Sequence, residues 1–165
     1  MPLFNLRDAT VKFSDGTGTP LTLTVKIGEG SLSYSEKKNI EYRRNRGILS
    51  DVREGDDEPV DVSMDFNWAF ITGNSADPEG ATSIEDALKK TGGAAAWISS
   101  DSDLCNPYAV DIIITFTPVC SATEKEIITL ADFRYETLDH NANDATISCS
   151  GKCNITKATL LRQSQ

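Results

Sequence analysis

Few groups in this sequence have reactive chemistry: one histidine, four cysteines and a surplus of carboxylates. His140 lies in Leu138-Asp139-His140-Asn141-Ala142-Asn143-Asp144, a polar stretch that reads as a turn. A lone loop histidine is more often a bystander than a base or a ligand. The cysteines are Cys105, Cys120, Cys149 and Cys153. Four of them suffice for a zinc site or for two disulfides. Cys105 and Cys120 flank a predicted strand, which at ~3.3 Å per residue holds its ends far apart. Cys149 and Cys153 are not a tight metal knuckle, although Gly151 between them can turn the chain. Separate, buried or partly buried thiols are therefore the favoured reading. A metal site or disulfide within the chain, and crosslinks between chains, stay open. The acidic run Asp56-Asp57-Glu58 lacks the spacing of a calcium loop and reads as solvated. Gly28-Glu29-Gly30 lacks the third glycine of a dinucleotide fingerprint, and an alternating, strand-like segment follows it where a helix is required. No phosphate-binding loop, nucleophile elbow or zinc-protease motif is present. The expectation is a protein with no catalytic set, no cofactor and no metal.

Composition limits the alternatives. The chain of 165 residues is 39% hydrophobic and 25% charged, which fits a single globular domain spanning 1–165. No apolar run approaches the ~18 residues of a membrane helix. The opening Met1-Pro2-Leu3-Phe4-Asn5-Leu6-Arg7 lacks the apolar core of a secretory leader, so synthesis in a cytoplasm is expected. The net charge of −9 argues against a clamp on nucleic-acid phosphates, which relies on Lys and Arg. The charge is uneven: residues 1–47 carry +3 and residues 48–165 carry −12. Such asymmetry suits head-to-tail self-association.

The elements that must position these groups are mostly strands. Val60, Val62, Met64, Phe66, Trp68 and Phe70 share one face of a period-two run, with Asp61, Ser63, Asp65 and Asn67 opposite. Leu21 to Ile27 and Val110 to Phe116 alternate in the same way, and Ile113 on the polar side of the latter hints at a second contact. Further strands are expected at Ala9–Phe13, Ser31–Ser35, Ile127–Leu130, Phe133–Leu138, Ala145–Cys149 and Ile155–Leu161. One short helix, about 83–91, is signalled by a capping residue with an acid three positions on and by the stripe Ile84, Ala87, Leu88. Gly92-Gly93 ends it. Residues 1–8 and 160–165 read as terminal arms. The fold class is mainly β: an antiparallel β-sandwich or barrel with one short flanking α-helix and a long loop over about 37–58.

That loop is the anomaly. It holds Lys37, Lys38, Arg43, Arg44 and Arg46, then Asp51, Arg53, Glu54, Asp56 and Asp57. Loops of this length are uncommon in compact domains unless they have a role. The basic and acidic halves can pair with each other or with a neighbour, and Ile40, Tyr42, Ile48, Leu49 and Val52 supply apolar anchors.

The stretch Arg46-Gly47-Ile48-Leu49-Ser50-Asp51-Val52-Arg53-Glu54-Gly55-Asp56, followed by Pro59 to Trp68, resembles the tail tube proteins of long-tailed bacteriophages. So do the helix 83–91, Pro107 to Ile112, Ala131 to Glu136, and Ser150 to Asn154. The resemblance implies a homo-hexameric ring that stacks into a hollow tube. Residues 37–58 would make ring-to-ring contacts. A tape measure protein would occupy the lumen, with tail terminator and baseplate or tip proteins at the ends. Double-stranded DNA would pass without specific binding, and the location would be the tail of a virion, with no membrane role. Asp61 and Asp65 are the candidate lumen wall. Other components of the same fold remain as alternatives: a tail terminator, a distal tail ring or a secretion tube. A monomeric β-sandwich binding module is a rival of another class, and it predicts exposed aromatics, whereas Trp68 and Trp97 both read as buried.

Overall fold

The computed structural model describes residues 9–18, 22–25, 31–67, 82–117 and 124–164. Trp68, Phe70, Cys120, the Gly28–Gly30 stretch and residues 1–8 lie outside them. Among the described residues the chain runs β1 (Ala9–Ser14), β2 (Thr22–Val25), β3 (Leu32–Ser35), β4 (Ile40–Asn45), β5 (Ile48–Glu54), β6 (Val60–Asn67), α1 (Ile84–Lys89), β7 (Val110–Phe116), β8 (Glu124–Asn141), β9 (Thr146–Cys153) and β10 (Thr159–Ser164). The main sheet has the order β2-β1-β7-β8-β9-β6-β3 and is antiparallel throughout, with β10 beside the first half of β8. It curls into a half-barrel with one short helix, which is the mainly-β class the alternation predicts.

The buried side follows from period two. The residues Val60, Val62, Met64 and Phe66 are buried, and the intervening polar residues are not. Val110, Ile112 and Ile114 repeat this on β7, and Ile147, Cys149 and Cys153 on β9. Phe13 and Phe66 meet edge to face at 6.1 Å between ring centroids, across the concave side. Helix α1 closes that side. Ser83 accepts a hydrogen bond from the Asp86 N–H at 3.2 Å, and the Asp86 carboxylate accepts one from the Ser83 N–H at 3.2 Å. Ile84, Ala87 and Leu88 face the core. The helix is shorter than the expected 83–91 because Ser83 is its cap and Lys90 turns left-handed at φ 56°.

Strand β8 is one strand of 18 residues where the sequence suggests two. A bulge joins the halves: Asp111 on β7 faces two residues on β8, Ala131 and Asp132. Asp132 sits at φ 56°, its N–H donates to Asp111 Oδ1 at 3.0 Å, and Ser100 Oγ donates to Asp132 Oδ1 at 2.8 Å. Burial pushes the Asp111 carboxyl above its usual range, against the hydrogen bonds from Asp132 N–H and Ser100 that lower it. A second irregularity falls at Glu136, opposite Gly151. A Cβ on Gly151 would stand 2.1 Å from the Arg134 carbonyl oxygen, so only glycine fits where β9 crosses this kink.

Three further expectations change. His140 lies in β8, paired with Ile147, and the turn falls after it at 142–145. Its ring contacts the Glu85 carboxylate of α1, which ties the strand end to the helix. Residues 160–164 are not an arm: they belong to β10, which pairs with β8 from Thr159↔Thr129 to Ser164↔Glu124. Residues 40–54, expected within an irregular loop, form a two-stranded sheet of their own.

Candidate functional site

The ribbon β4–β5 is built by its turn. Asn45-Arg46-Gly47-Ile48 is a two-residue hairpin with φ 49° at Arg46 and 83° at Gly47. Two successive positive φ values match the twist of paired strands, and glycine takes the second at little cost. From Ile40↔Glu54 to Arg43↔Asp51 the register is regular, and Ser50 is the extra residue of a bulge before Arg44↔Leu49. Six residues at ~3.3 Å each make a ribbon about 20 Å long.

The register sorts its residues onto two faces. Tyr42 pairs with Val52 and Arg44 with Leu49 on one, next to Ile40. Glu41 pairs with Arg53 and Arg43 with Asp51 on the other. The Arg53 Nε–Glu41 Oε2 distance is 2.5 Å. The apolar face is open: Tyr42 is 62% exposed, Leu49 59% and Val52 57%, and Ile48, opposite Asn45 on the other face at the turn, is 74% exposed. A two-stranded ribbon is marginal alone in water and needs a surface to pack on. Fully burying side chains of this size is worth roughly 1.5–3 kcal/mol each, whereas exposed ion pairs give ~0–1. Strength in a contact here comes from the apolar face, and register from the charges.

The base of the ribbon is clamped. Gly55 N–H donates to the Asn39 carbonyl at 2.9 Å. Lys38 pairs with Glu54 and Lys37 with Asp61. The Lys38 hydrogen bond lowers the Glu54 pKa, the Lys37 hydrogen bond lowers that of Asp61, and Asp61 in turn raises Lys37. Among the described residues Arg43, Arg44 and Arg46 at the far end make no ion pair, nor do Asp56, Asp57 and Glu58 beyond the base. The basic and acidic groups are thus brought into one segment but kept apart by its length. A groove runs beside the base, lined by Asp57, Glu58, Pro59, Ile155, Thr156 and Lys157.

Asp61 and Asp65 occupy the polar face of β6, as the alternation requires. Asp65 accepts a hydrogen bond from Ser31 Oγ at 3.0 Å. Their cross-strand neighbours are short or polar: Ser35 and Lys152 beside Asp61, Ser33 and Ser150 beside Ser63, and Ser148 beside Asp65. The three described cysteines are free thiols, with Cys105 exposed and Cys149 and Cys153 buried. Burial pushes both buried thiols up to about 12. Cys120 lies outside the described residues. Trp97 is buried, as read.

Sequence reasoning missed one polar clamp. Arg134 Nη2 pairs with Asp101 Oδ2 at 2.6 Å, and its Nε donates to the Pro107 carbonyl at 2.9 Å. Asp101 also accepts from the Asp103 N–H and from Asn106 Nδ2. These contacts hold its carboxyl down at about 2, the Asp103 bond being the largest cause. The Asp101-Ser102-Asp103 spacing carried a turn signal, but the partner, 33 residues away, did not. Among the described residues no group of three or more His, Cys, Asp or Glu side chains could hold a metal ion, and no helix is long and apolar enough to cross a membrane.

No protein-family model matches the chain, and no curated protein matches it. Solved structures do. A chain of an extracellular contractile injection system, in the structure of the PVC sheath/tube terminator in its extended state, is 13% identical with a TM-score of 0.57. The match covers 99% of this chain and 98% of that one. A chain in the structure of the anti-feeding prophage tube-terminating cap is 12% identical with a TM-score of 0.49, over 100% and 93% of the two chains. At 13% identity the likeness is one of fold: the architecture described above is shared, end to end, with a chain of a contractile injection particle.

Proposed function

We propose that this chain is a structural, non-enzymatic subunit that forms a homo-hexameric ring and terminates the tube of a phage-type tail or contractile injection system. The ribbon of residues 40–54 carries the reading. It presents an apolar face to solvent, and an isolated ribbon of that kind is built to pack on another chain. The end-to-end likeness to a chain from a sheath/tube terminator structure supports the choice of assembly. In this reading the ribbon and the flanking residues of 37–58 make the contacts between subunits. The ring meets tube subunits on one side, other tail or baseplate proteins elsewhere, and a tape measure protein and then DNA through its bore. The polar face around Asp61 and Asp65 lines that bore. Its location is the tail of the particle.

A second reading is the major tube subunit itself, favoured by the resemblance of Arg46 to Asp56 and Pro59 to Trp68 to tail tube proteins. Negative-stain microscopy of the purified chain over a concentration series separates the two. Single six-fold rings that do not elongate, and that cap preformed tubes, support the terminator. Long hollow tubes support the major subunit. Particles of 17.9 kDa at every concentration and salt overturn both.

A further inference from the structure

The tip and the base of the ribbon carry opposite charges that cannot meet within one molecule. Arg43, Arg44 and Arg46 stand at the turn end, beside the exposed Ile48 and Leu49. Asp57 and Glu58 stand at the base, in the groove that Pro59 and Ile155 floor with apolar surface. The groove continues past Glu36 and Glu54. Its lysines do not cancel this charge. Lys38 is engaged with Glu54, Lys37 pairs with Asp61 and also feels Glu58, and with Lys157 these three cations stand against the five carboxylates Glu36, Glu54, Asp57, Glu58 and Asp61. About 20 Å of paired backbone separates tip from base and keeps the arginines from folding back.

We infer that the arginine tip of the ribbon seats in the Asp57–Glu58 groove of a second copy of this chain. The contact rests on the ring reading above and adds to it a defined donor and acceptor surface. It joins two different patches, so it is heterologous: each copy gives a tip and receives one, and the series closes into a ring when the rotation permits. Leu49, on the same face as Arg44, then meets Pro59 and Ile155 while Arg44 and Arg46 meet the two carboxylates. The charges fix which end of the groove the tip enters, because a shifted or reversed ribbon would set Asp51 and Glu54 against Asp57 and Glu58.

A charge swap on the full chain tests this. One variant carries Arg44→Glu and Arg46→Glu; a second carries Asp57→Lys and Glu58→Lys; a third carries all four and keeps the wild-type net charge of −9. Circular dichroism and melting check that each folds, and sedimentation velocity with negative stain reads assembly. The expected result is that each two-site variant alone needs at least about tenfold higher concentration to assemble. Mixing the two restores assembly through alternating subunits, and the four-site variant assembles like the wild type. Unchanged assembly of both two-site variants, or a mixture that stays dissociated, overturns this contact while the ring reading stands. A wild type that is monomeric throughout the series overturns the ring reading and the contact together.

Discussion

At the residue scale the chain invests its best polar geometry away from any reactive centre. The Arg134–Asp101 pair exposes 22% and 9% of its two side chains and is joined by Asn106, the Asp103 N–H and the Pro107 carbonyl. It organises the turns before β7 instead of holding a ligand. Asp101 is held down at about 2, below its unfolded value of ~3.9. A carboxyl depressed on folding contributes stability above its unfolded pKa and loses it as the pH falls through the folded one. Melting of the wild type and of Asp101→Asn should therefore differ at pH 7, with the wild type higher. The gap should close between about pH 4 and pH 2, where the wild-type carboxylate takes up its proton. Equal melting temperatures at pH 7 would show that the turns stand without the charge.

At the element scale the ribbon and the half-barrel obey different physics. The body is held by buried alternation, from Val60 to Phe66 and from Val110 to Ile114. The ribbon is held by its turn, its cross-strand pairs and the hydrogen bond between Asn39 and Gly55. Replacing residues 40–54 by Asn-Gly joins two ends that are already adjacent. The body should keep its strand content and its urea stability to within about 1 kcal/mol, since a shorter loop costs little to close. Assembly should be lost in the same variant. A molten or aggregated product would mean that the ribbon is part of the fold. The same division explains what was legible in the sequence. Strand β6 and helix α1 could be read because one face of each is buried, which writes a period into the residue types. The ribbon could not: Tyr42, Val52 and Leu49 are exposed, so no burial writes a period there and basic and acidic residues break the pattern. The end of β8 at His140 and the tail in β10 escaped for the same reason, being exposed pairings with little burial behind them.

At the scale of the whole molecule the polar side of the half-barrel is, among the described residues, a regular exposed surface. Across β3, β6 and β9 it sets Ser33, Ser63 and Ser150 in one row, with Asp61 and Asp65 on either side. Short hydroxyls offer a passing polymer no apolar grip, and the two lysines of this face, Lys37 and Lys152, stand beside Asp61. Asp65, whose hydrogen-bond partner is the neutral Ser31 hydroxyl, repels phosphate over the ~8 Å Debye length at physiological salt, whereas Lys37 offsets Asp61. The proposed ring puts this face inward and the ribbon between subunits. A single thiol can test that orientation. In a Cys105→Ser/Cys120→Ser background the remaining native thiols, Cys149 and Cys153, are buried and hard to ionise. Ser63→Cys then adds one reactive, exposed group. Biotin-maleimide should label it in the dissociated chain and streptavidin should capture it there. In capped or stacked tubes the small reagent should still enter, while streptavidin capture falls to background. Capture that persists on assembled tubes would put the β6 face outside, and Asp61 and Asp65 with it.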